Sequence, residues 1–210
     1  GPGWLFCVSV CFAVVAEEAQ PGGGGLYGTF VTIRNNETLP ASYRAEVGYL
    51  EGSMDTWEPM AQLSAWDYNL NPGQQIPAGW PSIGVSWLGE EITIAYGVQT
   101  QSGVATDFRS DIYAVVRDTG GAWSGAQTIT SAAANQFWLP TFLFYKRNAN
   151  RVAVFSYQYV NFMDAAHPPR NNFQLIYHDS GGWEAPLNVT RVAIGQDGSL
   201  MDIEIDPFQD

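Results

Sequence analysis

A strand–turn–strand pattern that recurs along this chain constrains its fold more than any other feature of the sequence. The clearest copy, at 173–190, consists of an alternating strand, a tight turn of Asp, Ser and two glycines, a tryptophan, and a short returning strand. A second copy lies at 111–130, and a more divergent one at 45–64. Trp183 follows Trp123 by 60 residues. Pro140 likewise follows Pro81 by 59 residues. The agreement of the two intervals indicates a structural repeat.

Further strands are predicted before each of the two clearer hairpins. Segments 81–87 and 92–98 precede the hairpin with Trp123, and segments 140–145 and 151–157 precede the one with Trp183. They are short runs rich in β-branched and aromatic residues and bounded by turns, and no segment keeps a helical period. An aromatic content of 14% also favours strands. Four strands in a unit of about 50–60 residues is the arrangement of a propeller blade.

The sequence therefore predicts an all-β fold. We expect a β-propeller-like array of four-stranded antiparallel blades, about three to four in number, with an incomplete ring as one outcome. A single domain is predicted over residues 1–210, with a connector at 66–80. The approximate units are 4–66, 81–131, 139–190 and a partial unit at 191–210.

The N-terminal run 4–16 is apolar on both faces and is predicted to be a buried strand. It is too short to span a bilayer, and the hydrophobic region of a signal peptide is the alternative. Cys7 and Cys11 would lie about 13 Å apart on one strand, too far for a disulfide. This strand is predicted to complete the partial unit 191–210 or to pair with another copy of the chain.

The turns carry a resemblance to a known family. Residues 118–123 contain the pattern Asp-x-Gly-x-x-Trp, whereas 179–183 is one residue shorter and 51–57 keeps little beyond its tryptophan. This resembles the Asp-box, or bacterial neuraminidase-like, repeat of sialidase-type β-propellers. It is most similar to the degenerate variant in large secreted and cell-surface repeat proteins, although Val116 replaces the leading Ser or Thr.

In such a turn we expect the aspartate to accept backbone hydrogen bonds and the glycine to adopt a positive φ. The tryptophan is expected to pack under the turn and against the next blade. These roles are structural. The predicted motif residues are Trp57, Asp118, Gly120, Trp123, Asp179, Gly181 and Trp183.

Charge and composition exclude several functions. Nine basic residues against 21 acidic ones give a net charge of −12, with Lys146 as the single lysine. Nucleic acid binding and membrane insertion are therefore not expected, because phosphates need clustered basic residues. Sialidase chemistry, as the resemblance implies, needs three convergent arginines, and no arginine here has the family's Arg-Ile-Pro context. We predict no catalytic residues and no cofactor.

Two smaller features remain open. Acidic residues crowd 202–210, and Asp107 and Asp111 flank a loop, so calcium is an alternative to no bound metal. The sequons at Asn36 and Asn188 are candidate glycosylation sites. His178, next to a repeated aspartate, is expected to be a solvated neighbour of its turn.

Three functions compete at this stage. The first is a non-catalytic extracellular or cell-surface module for assembly or adhesion, which associates with itself through open blades or strand edges. The second is a carbohydrate-binding, lectin-like propeller with a glycan ligand. The third is a fragment of a sialidase-like glycosidase or lyase.

Overall fold

Antiparallel strands account for the regular secondary structure in the described part of the chain. The structure, a computed structural model, describes residues 5–15, 25–35, 43–52, 57–69, 75–86, 91–101, 108–132, 136–145, 152–160, 170–179 and 181–188. These residues contain no helix, and hence none with the length and apolar character needed to cross a bilayer. The predicted all-β, antiparallel fold class is confirmed.

The described residues form thirteen strands. They are β1 (Leu5–Val15), β2 (Gly25–Asn35), β3 (Tyr43–Gly52), β4 (Trp57–Tyr68), β5 (Gln75–Val85), β6 (Ile92–Gln101), β7 (Phe108–Arg117), β8 (Gln127–Thr128), β9 (Gln136–Tyr145), β10 (Val152–Val160), β11 (Arg170–Asp179), β12 (Gly182–Trp183) and β13 (Leu187–Asn188).

The strands pair as three successive antiparallel meanders. Strands β1 to β4 form the first meander, a separate four-stranded sheet in chain order. Strands β5 to β8 form the second meander, and β9 to β13 form the third. A single parallel residue pair, Ser110 with Phe137, links the second and third meanders into one nine-stranded sheet. Neither of these described sheets closes on itself.

Each meander has two faces because side chains alternate along its strands. We call the face toward the preceding meander the front face and the other the back face. Within β6, Ile94 and Tyr96 belong to a core that includes Tyr27 and Val47 of the first meander. Ala95, on the opposite face, belongs to a core shared with the third meander. The back face of one meander therefore packs on the front face of the next.

Apolar contact is what holds the meanders together. The first core is formed by Tyr27, Val31, Val47, Tyr49, Ile83, Ile92, Ile94, Tyr96, Val98 and Val115. The second is formed by Ala95, Ile112, Ala114, Ile129, Ala132, Trp138, Val154 and Ile176. Each large buried apolar side chain contributes about 1.5–3 kcal/mol, whereas one backbone hydrogen bond contributes about 1 kcal/mol. The link between β7 and β9, one residue pair and two hydrogen bonds of the Ser110 hydroxyl with the Trp138 backbone, is therefore minor.

The predicted connector at 66–80 is wrong at both ends. Trp66 lies in β4, where its ring stacks on Tyr96 at 6.2 Å between centroids. Residues 75–80 already belong to β5. Pro77, which suggested a loop, is accommodated by irregular pairing, because the register of β5 with β6 shifts between Pro77 and Gly79 and again before Ser82. A bulge removes the need for the amide hydrogen that proline lacks.

The N-terminal run is a strand, as predicted. β1 pairs along its whole length with β2, from Leu5 opposite Arg34 to Val15 opposite Gly25. It is thus the first strand of the first meander. Residues 191–210, its alternative partner, lie outside the described residues. Both cysteines are in β1, with a register shift between Cys7 and Ser9.

Candidate functional site

The two clear Asp-Gly turns are closed by hydrogen bonds from within the turn. Asp118 accepts a hydrogen bond at Oδ1 from the backbone N–H of Ala122, at 2.9 Å. The backbone N–H of Asp118 donates to the carbonyl of Ala122, at 3.0 Å. In the third meander, Asp179 accepts at Oδ1 from the backbone N–H of Gly181, at 2.7 Å. Both carboxylates are thus placed as part of the turn backbone.

The positive φ falls on a different glycine from the one expected. Gly121 and Gly182 have φ of 83° and 102°, while Gly120 and Gly181 are outside the left-handed region. Gly120 meets a different requirement. A Cβ there would lie 3.2 Å from Oδ1 of Asp118, and Gly181 stands in the same relation to Asp179. The first glycine makes room for the carboxylate, and the second allows the reversal.

The three tryptophans occupy matching positions in the pairing scheme. Each pairs with the last or next-to-last residue of the third strand of its meander. The pairs are Gly52 with Trp57, Arg117 with Trp123, and His178 with Trp183.

Two of the tryptophans pack toward the preceding meander, whereas the expected direction was toward the next one. The ring of Trp123 meets that of Tyr49 at 5.2 Å in an edge-on arrangement, at the first core. Trp183 packs against the second core and against His178, at 4.7 Å between centroids. The direction follows from the pairing, which places Trp123 and Trp183 on the front faces of their meanders.

A polar cluster fills the first interface beside Trp123. Arg117 lies 3.5 Å from Glu51 through Nη1 and donates to the hydroxyl of Tyr49 at 3.4 Å. The Tyr49 hydroxyl donates to Oε2 of Glu51, at 2.8 Å. The guanidinium carbon stands 5.6 Å from the Tyr49 ring centroid. Burial raises the pKa of Tyr49 far above its usual value, and the hydrogen bond to Glu51 adds to this.

The corresponding position in the second interface is a cleft of about 260 Å³. It opens beside the Asp118 turn, and His178 of the third meander faces it. Its lining residues are Val116, Asp118, Ala122, Trp123, Ser124, Gln127 and His178. Burial lowers the pKa of His178, against a smaller opposing effect of Asp179, so the imidazole is neutral at pH 7. The cleft therefore contains one carboxylate, one hydroxyl, one amide and a neutral imidazole.

A bridge between the second and third meanders lies in the same interface. The hydroxyls of Thr93 and Tyr145 are hydrogen-bonded at 2.7 Å. Burial raises the pKa of Tyr145 well above its usual value, so this hydroxyl keeps its proton at neutral pH. The bridge fixes the spacing of the two meanders near the cleft.

The remaining candidate residues are placed as follows. Asp111 accepts at Oδ1 from the Thr130 hydroxyl and from the backbone N–H of Ala132, both at 2.7 Å, so it anchors a returning segment. Among the described residues, no three His, Cys, Asp or Glu side chains come together as a metal site. Asn188 is in β13. Asn36, Asp107 and the acidic stretch 202–210 lie outside the described residues.

Comparison with known proteins gives no match: neither a protein-family model nor a curated protein aligns significantly with this chain. The resemblance to Asp-box repeats therefore depends on the turn residues themselves.

The cluster of Tyr49, Glu51 and Arg117 was missed by sequence reasoning. Aligning the hairpins by their tryptophans, and then counting back along the third strand, would have placed Glu51 and Val116 at corresponding positions. Which side chains meet between two packed sheets, however, depends on which faces of the sheets are in contact. A single sequence does not determine those faces.

Proposed function

We propose that this chain is a non-catalytic extracellular or cell-surface module for assembly or adhesion, built as a propeller-like stack of blades. The observation that carries the proposal is the order of stacking: the back of the first meander packs on the front of the second, and the second on the third. A contact between two unlike faces does not close by itself. It continues until a ring closes or another molecule covers the last face.

The back face of the third meander is the last one described. It includes Leu187, which pairs with Leu175. The Leu187 side chain is 57% exposed. Among the described residues, it is the one large hydrophobic side chain that is exposed to solvent. The front face of the first meander is different, because Arg44 forms ion pairs there with Glu46 and Asp67, at 3.1 and 3.2 Å. Charges of this kind discourage further stacking.

We therefore assign self-association to the outer face of the third meander around Leu187. The acidic surface, with a net charge of −12, opposes association at low salt and opposes it less when salt screens the repulsion. An acidic, almost lysine-free, all-β chain also suits a secreted or cell-surface location. Bound metal is not part of the proposal.

Sedimentation equilibrium across a range of concentrations tests this assignment. We expect the chain to associate more strongly in 0.5 M than in about 0.05 M salt. Leu187→Glu should weaken association by about tenfold or more, because a buried leucine contributes about 1.5–3 kcal/mol. Its fold should persist, since the side chain is more than half exposed.

Thr128→Glu is the matched control. It adds the same charge to an exposed position of β8, in the second meander, and should leave association almost unchanged. A monomer at every concentration, or equal effects of the two variants, would contradict the assignment.

A further inference from the structure

The two interfaces differ at corresponding positions beside the tryptophan pairs. Arg117 and His178 are both paired with tryptophans, and both oppose the first residue of the second strand of their meander. Glu51 and Val116 each lie one residue before the tryptophan-paired residue of their third strand, and both are on the back face of their meander. The first interface thus brings together Glu51 and Arg117, and the second brings together Val116 and His178.

Smaller side chains account for the cleft. Counting back from the tryptophan pairs, Tyr49 corresponds to Ala114, Glu51 to Val116 and Arg117 to His178. The first set fills its interface with a guanidinium group held by a carboxylate and an aromatic ring. The smaller side chains of the second set leave an open cleft of about 260 Å³. This is less than the roughly 300–1,000 Å³ of sites for drug-sized ligands, so it suits a single side chain.

The chemistry of the cleft favours a cation. Asp118 lines it, is exposed, and forms no salt bridge with any described residue. The surrounding chain carries a net charge of −12, which attracts cations. Gln127 and Ser124 add polar groups, and His178 adds a flat aromatic imidazole to the lining. Carboxylate, amide and aromatic groups together suit the flat, forked guanidinium better than a compact ammonium group.

We propose that this cleft binds the guanidinium group of an arginine side chain from a partner protein, in the place that Arg117 takes within the first interface. Asp118 would form an ion pair with the guanidinium, as Glu51 does with Arg117 in the first interface. A free amino acid is a poorer occupant, because its own carboxylate would enter an acidic surface. The proposal goes beyond self-association and does not depend on it.

Calorimetric titration with blocked peptides tests the proposal. Acetyl-Gly-Arg-Gly-amide should bind saturably at low salt, the corresponding lysine peptide more weakly, and the neutral citrulline peptide not measurably. Asp118→Asn should weaken the arginine peptide about tenfold, because a charge-assisted hydrogen bond is lost. Asparagine keeps an oxygen for the Ala122 amide, so the turn should survive.

Two further variants separate this site from general electrostatics. Asp179→Asn removes the same charge from the same kind of turn outside the cleft lining, and should leave affinity unchanged. Val116→Glu places a carboxylate where the first interface has Glu51, and should tighten binding about tenfold.

Three results would overturn the proposal. They are the absence of saturable binding, equal losses in the Asp118→Asn and Asp179→Asn proteins, and equal affinity for the arginine and citrulline peptides. Titration with a panel of monosaccharides adds a fourth. A neutral sugar that binds saturably and competes with the arginine peptide would assign the cleft to carbohydrate instead.

Discussion

At the scale of single residues, the structure separates tasks that the sequence motif combines. Asp118 closes its turn, Gly120 makes room for the carboxylate, and Gly121 takes the positive φ. The presence of these turns was predictable, because Asp and Gly have strong local preferences. The division of work between the glycines was not, since it depends on where one oxygen atom lies.

Buried tyrosines make stability depend on pH in the alkaline range. Burial raises the pKa of Tyr49, with a hydrogen bond to Glu51 as a further cause, and raises that of Tyr68 to about 12. In the unfolded chain these hydroxyls ionise near pH 10. The folded pKa is the higher one, so the stabilisation is fully present below about pH 10 and is lost as the pH rises above it.

Urea unfolding at a series of pH values checks this dependence. We expect the free energy of unfolding to be steady from about pH 8 to pH 10 and then to fall. Tyr49→Phe should reduce the slope above pH 10 by up to about 1.4 kcal/mol per pH unit, the contribution of one proton. An unchanged slope in this variant would show that Tyr49 ionises in the folded protein as it does in water.

At the scale of elements, hairpins were easier to predict than their extents. The strands at 92–98 and 112–117 were recognised because they are uninterrupted runs rich in β-branched and aromatic residues. β4 and β5 were cut short in the prediction, since Pro77 and its glycine neighbours look like a loop. The pairing of β5 with β6 shows that shifts of register accommodate these residues within the strand. Turns can be predicted from local sequence, whereas the position of a bulge depends on the pairing with the neighbouring strand.

The close approach of β5 to β9 gives a prediction at this scale. A Cβ added at Gly84 would lie 2.8 Å from the Cβ of Leu143 and 3.3 Å from its backbone carbon. Neither atom can move away without moving β9. Gly84→Ala should therefore destabilise the protein by about 1–3 kcal/mol, the usual cost of overpacking.

Gly125→Ala is the matched control, because nothing lies within 4 Å of the added Cβ. Chemical denaturation of both variants measures the difference. Equal stabilities would mean that β5 and β9 are not in contact as described.

At the scale of the whole molecule, the described residues form three meanders stacked in chain order. That the chain is all-β could be predicted from its β-branched and aromatic content. The direction of stacking could not, because both faces of a covered sheet are apolar. The stacking direction underlies both proposals: it puts Leu187 on the outer face of the third meander, and it places Val116 and His178 together at the cleft.

The direct test of the stacking is a nuclear Overhauser measurement on the isotope-labelled protein. The account predicts strong cross-peaks between the α-protons of Gly84 and the side chain of Leu143, and between the rings of Tyr49 and Trp123. With these resonances assigned, the presence of both contacts supports a stack of back face on front face. Their absence would contradict it.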